Sequence, residues 1–146
     1  MCENDPVMRS ALGDLIRSLP GLQLAGIAAD AAAAGAEAAR TQPDVAVLDV
    51  RMPGGGGPEA ARLIRAQCPH TRLIAFSAHA DRAVVLEMLR AGVTDYLIKG
   101  ADEEELIEAI RRTGRGHLGL AGVEMSELVF DLVDMLAAAE QREPVA

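Results

Sequence analysis

Val45-Ala46-Val47-Leu48-Asp49 is a run of four apolar residues closed by a carboxylate. Met52-Pro53 and four glycines, Gly54 to Gly57, lead from it to a helix-like segment that begins at Pro58. Two further runs have the same design. Leu73-Ile74-Ala75-Phe76 ends in the hydroxyl of Ser77, and Tyr96-Leu97-Ile98 ends in the ammonium of Lys99. Short runs that are apolar on both faces suit strands of a parallel sheet covered on each side. In such a sheet the three terminal residues lie on one edge, where open α/β folds place their chemistry.

Outward from these strands, helical and extended patterns alternate. Pro6 to Leu19 carries Val7, Leu12, Leu15, Ile16 and Leu19 near helical spacing, with Asp5 as N-cap and Pro6 in the first helical position. Leu22 to Ala29 reads as a strand. Asp30 then caps an Ala-rich helix to about Gln42, weakened by Gly35. Helices are expected over 58–68, with Ala61, Leu63 and Ile64 inward, over 81–91, closed by Gly92, and over 102–115. The last strand is expected over 95–98.

Composition limits what the chain does. At 146 residues it has the length of one domain with a small appendage. Half of it is hydrophobic, enough for a single core, and Tyr96 is its only tyrosine. The net charge of −8 opposes direct nucleic-acid binding, because phosphate backbones require a basic surface. No apolar span approaches the roughly 18 residues of a membrane helix. Met1-Cys2-Glu3-Asn4-Asp5 lacks the parts of a signal peptide, and two cysteines, Cys2 and Cys68, make no disulfide framework. A reduced, cytoplasmic protein is expected.

The constellation of Asp49, Ser77 and Lys99, with Met52-Pro53 after the first and Tyr96 before the last, resembles the receiver domain of two-component response regulators. The resemblance covers roughly Glu3 to Gly116. It implies a doubly wound parallel (βα)5, flavodoxin-like sandwich that accepts a phosphoryl group on Asp49 from a sensor histidine kinase in phosphorelay signalling. Lys99 would pair with one phosphoryl oxygen and the Ser77 hydroxyl would donate to another. Ser77 and Tyr96 would form the switch, with Tyr96 turning into the space that Ser77 and its loop vacate. Mg²⁺ would be held by Asp49, by an acidic pair aligned with Glu3-Asn4, and by the Arg51 backbone carbonyl. Arg51 and His79 would border the phosphoryl group and tune its lifetime. Such a domain catalyses its own phosphorylation and slow dephosphorylation and is not an enzyme in the ordinary sense.

Two departures from the family stand out. The acidic pair is Glu3-Asn4, and an amide at the second position ligates Mg²⁺ without charge, so weaker binding is expected. Only Met1 and Cys2 precede that pair, where the family has a central strand. Two residues cannot fill a strand whose neighbours both need partners, so the first strand reads as truncated. Either the true start lies upstream or the domain folds imperfectly.

Other readings are weaker. Taken singly, Asp49 is a turn cap, Ser77 a satisfied loop hydroxyl and Lys99 a solvated strand end. Gly54 to Gly57 is no dinucleotide loop, since prolines flank it, Glu59 stands at the third fingerprint position and no Lys-Ser/Thr follows. An aspartyl phosphatase needs an acid two residues after its nucleophile, where Arg51 stands. His70, His79 and His117 have no metal-ligand spacing. The alternative kept open is a phosphorylation-independent pseudo-receiver that docks a partner through the same face.

Beyond residue 116 the pattern changes. Residues 117–146 form a glycine-containing linker and an amphipathic helix over Met125 to Gln141, with Leu128, Leu132, Val133, Met135 and Leu136 as its stripe. This helix either packs on its own domain or joins a second copy or an output protein. Lys99-Gly100-Ala101, lacking a proline, is similar to regulators that continue into a helix-turn-helix; no such unit lies within 1–146.

Overall fold

The computed structural model describes residues 1–78, 81–100 and 103–114. The expected 125–141 helix, His79 and His117 lie outside them. The element order is α1 (Pro6–Ser18), α2 (Ala31–Thr41), β1 (Val45–Leu48), α3 (Gly56–Gln67), β2 (Arg72–Ser77), α4 (Arg82–Arg90), β3 (Asp95–Ile98) and α5 (Glu103–Gly114). The strands are parallel in the order β1-β2-β3, with Val45 opposite Arg72 and Ile74 opposite Asp95.

Alternation along each strand divides the core into two layers. Ala46, Leu48, Leu73, Ala75 and Tyr96 face α2, α3 and α4, where they meet Ala34, Ala61, Ile64, Val85 and Met88. Val47, Ile74, Phe76 and Leu97 point the other way, against Leu12 of α1 and Leu106 and Ala109 of α5. Because side chains alternate with period two, a one-residue slip would exchange the two layers, and the register is thereby fixed. Helices on both faces are the doubly wound arrangement expected from the alternating pattern.

The N-terminal side differs from expectation. Leu22 to Ala29 forms no strand; only Ala28 bridges Cys2. The reason lies in its partner. Cys2 is the centre of a stub that bridges Ala28 on one side and Leu48 on the other, both in parallel. Main-chain bonds run from Cys2 N to Val47 O at 2.8 Å, from Asp49 N to Cys2 O at 2.9 Å and from Glu3 N to Ala28 O at 3.0 Å. The sheet therefore reads Ala28, Cys2, β1, β2, β3 across its width. In line with the stub, a cavity of about 690 Å³ opens between residues 21–28 and 41–47, bordered also by Met1 and Ile110. A strand needs a ladder to pair with, and Leu22 to Ile27 face this cavity instead.

Smaller differences have local causes. Asp5 and Asp30 cap α1 and α2 as expected, their carboxylates accepting from Val7 N and Ala33 N. Val7, assigned to the apolar stripe of α1, is 77% exposed, while Met8, Leu12 and Ile16 make the actual stripe at spacing four. Helix α3 begins at Gly56, two residues before Pro58. Gly56 has φ 73°, and a Cβ there would meet Val50 O at 2.7 Å, so the close return of the chain after β1 requires glycine. Cys2 and Cys68 are both buried free thiols.

Candidate functional site

The strand ends do meet on one edge. Asp49 directly follows β1, its backbone N–H bound to the stub, and the residue is buried at 7% exposure. Ser77 closes β2 and is fully buried, and Lys99 directly follows β3, its N–H donating to Ser77 O at 2.7 Å. Adjacent parallel strands in this register carry the three side chains to one depth. The Lys99 Nζ lies 3.3 Å from Asp49 Oδ2 and 2.8 Å from Glu3, with the Phe76 ring 5.8 Å away.

Glu3 enters the site from the stub, where its carboxylate pairs with Lys99. Its carboxylate also accepts from Asp5 N at 3.2 Å. Burial pushes the Glu3 carboxyl above its ordinary range; the Lys99 hydrogen bond opposes that shift and the Asp49 charge adds to it. Asn4 is exposed, and its backbone N–H points at Asp49 Oδ2 across 3.4 Å. Arg51 N makes a similar long contact of 3.4 Å to Asp49 Oδ1, and its side chain is exposed. Asn4 and Arg51 therefore flank the Asp49 carboxylate through their main chains.

Tyr96 is 1% exposed, and its side chain shares a hydrogen bond with Ser77; burial raises its phenol above the usual value. The ring occupies the interior of the domain. His70 is exposed. Gly57 packs against the strand end that carries Asp49, since a Cβ there would meet Asp49 O at 2.7 Å.

Sequence reasoning missed one participant. Arg9 of α1 is half-buried and donates from Nη1 to Glu3 O at 3.0 Å and to Asn4 O at 3.4 Å. A cation on an amphipathic helix gives no local sign of such a role.

A half-buried lysine thus stands between two carboxylates, beside a strand-end hydroxyl, at one edge of the parallel sheet. The sequence model of the response regulator receiver domain matches residues 1–111, and the chain belongs to that family. It is a receiver domain of two-component systems, a signalling protein. Among relatives, it is 31% identical to the uncharacterized transcriptional regulatory protein YxjL of Bacillus subtilis over 99% of this chain and 67% of that protein. It is also 31% identical to the DNA-binding transcriptional activator DevR/DosR of Mycobacterium tuberculosis, over 100% of this chain and 66% of that one. The chain thus spans about two thirds of the length of these relatives. Its fold superposes on a LuxR-family two-component response regulator from Aurantimonas with TM-score 0.79 and 31% identity, covering 89% of this chain and 92% of that one. The receiver domain of NarL from Mycobacterium tuberculosis gives 0.73 and 30%, covering 80% and 94%. No helix among the described residues is long and apolar enough to cross a membrane.

Proposed function

We propose that this chain accepts a phosphoryl group on Asp49 from a sensor histidine kinase in the cytoplasm and changes conformation in response. The observation that carries the reading is the convergence of Asp49, Lys99 and Ser77 at the ends of three adjacent parallel strands, with Lys99 3.3 Å from the Asp49 carboxylate. An Asp49 oxygen attacks phosphorus, the P–O bond forms as the P–N bond to the kinase histidine breaks, and the imidazole leaves with the bonding pair. Lys99 gives up part of its contact with Glu3 and follows the negative charge onto a phosphoryl oxygen. The Ser77 hydroxyl exchanges Tyr96 for a second oxygen, and this change of partner frees the phenol and alters the packing of β3 and α4.

The donor set suits Mg²⁺ in kind, being all hard oxygen: the Asp49 and Glu3 carboxylates, the Asn4 amide and the Arg51 carbonyl. It is thin in charge. The described residues gather no group of three or more His, Cys, Asp or Glu around a cation position, and Lys99 neutralises part of the two carboxylates. When bound, the ion offsets the charge of the phosphoryl oxygens. Modest affinity follows. The relatives are transcriptional regulators by name, and only the receiving role is extended to this chain.

The test is covalent labelling. A small phosphodonor with Mg²⁺ should add one phosphate that is labile in acid and base, and Asp49→Asn should abolish it by removing the attacking charge. A wild-type chain that folds but takes no label favours a pseudo-receiver.

A further inference from the structure

The unexplained feature is a guanidinium spent on carbonyls. Arg9 is half-buried, and among the described residues it makes no ion pair. It also sits in the first turns of α1, a helix without an acidic residue in its first turn, where the macrodipole disfavours a cation. No ion pair among the described residues accounts for this placement. Hydrogen bonding does, because a guanidinium donates strongly and in fixed directions, here to two successive peptide oxygens.

Those oxygens belong to Glu3 and Asn4, the two residues that enter the site from the N-terminal stub, Glu3 through its carboxylate and Asn4 through its main chain. The N–H groups of this turn are bonded to Ala28 O, Asp49 Oδ2 and Glu3 Oε1, and its Glu3 and Asn4 carbonyls accept from Arg9. Fixing the Glu3–Asn4 and Asn4–Asp5 peptide planes sets where both side chains point.

We propose that Arg9 is a positioning residue that pins the ion-binding turn through its two carbonyls. The proposal rests on the reading of Asp49 as phosphoacceptor with Mg²⁺ beside it.

Arg9→Met separates this role from two others, because it keeps the stem and removes the fork. Calorimetric titration with Mg²⁺ should show affinity about tenfold weaker than wild type, the order of one lost charge-assisted hydrogen bond. Labelling should return towards the wild-type rate as Mg²⁺ is raised. Arg9→Lys, with one compact donor group, should fall between the two and carries the test should Arg9→Met fail to melt cooperatively. If Arg9 acted by charge alone, removing a cation near the site would tighten Mg²⁺ binding. If it served only the fold, the melting temperature would drop with Mg²⁺ affinity of the folded chain unchanged. Either result overturns the proposal. A wild-type chain that binds no Mg²⁺ and takes no label overturns the phosphoacceptor reading and this one together, whereas a labelled wild type with an unaffected Arg9→Met overturns the role of Arg9 alone.

Discussion

Residues 45–98 and residues 1–28 build two sides of one sheet by different means. In the first, three strands pair along their length, each sending alternate side chains into two sealed layers. In the second, one bridged residue, Cys2, connects Ala28 to Leu48, and the rest of the wall borders a cavity of about 690 Å³. The site straddles the boundary. Asp49, Ser77 and Lys99 stand on the paired side, and Glu3 and Asn4 on the stub. Covalent chemistry should therefore be robust in this chain and metal affinity fragile.

The sharpest test of that contrast is by core truncation. Ile74, fully buried in the middle strand, should lose about 2–5 kcal/mol on change to alanine. Leu24, half-buried beside the cavity, should lose less than about 1 kcal/mol, because its loss removes few packed neighbours. Urea unfolding of the two variants checks this; equal losses would mean that the two sides are one cooperative core of uniform quality.

A gain should follow from extending the ladder on the side of the stub. Five alternating Val/Ile/Leu residues added before Met1 run in line with the stub, between Leu22–Ile27 and Val45. New main-chain bonds at about 0.5–1.5 kcal/mol each, with apolar burial, should raise stability by a few kcal/mol and sharpen the melt. A polar extension of equal length is the control. If the two extensions behave alike, the cavity is not a strand position.

Much of this was legible in the sequence, and what was not has a common cause. The paired strands and the three site residues each carry a local sign, an apolar run and the polar residue that closes it. Leu22 to Ala29 carries the same apolar sign yet forms no strand, because strandhood depends on pairing with a partner far away in the chain, and only Ala28 finds one, Cys2. Val7 fits a helical stripe by spacing but faces solvent, since the stripe's position depends on where α1 docks. The link from Lys99 to Glu3, and Arg9 below it, join residues that no periodicity connects.

At the metal turn, Asn4→Asp should tighten Mg²⁺ binding by about tenfold, the effect of a third carboxylate on a cation with strongly charge-dependent affinity. Without Mg²⁺ the same variant should melt slightly lower, through repulsion between the introduced carboxylate and the Asp49 charge. Unchanged affinity in calorimetry would move Asn4 away from the ion.

The smallest effect concerns Glu3 itself, where burial and ion pairing compete. Burial raises its carboxyl above the ordinary 4.5, despite the Lys99 hydrogen bond. A folded state with the higher value holds the proton more tightly than the unfolded chain. Its contribution is then complete below about pH 4.5 and is lost as pH rises through the folded value. Glu3→Gln removes this dependence. Other carboxylates titrate in the same range, so the informative quantity is the melting temperature of Glu3→Gln minus that of wild type. It should climb by a few degrees in favour of glutamine between pH 4.5 and neutrality. A difference that moves the opposite way would mean that Lys99 outweighs burial and holds Glu3 charged in the folded state. The stub would then be anchored by its ion pair rather than weakened by its buried acid.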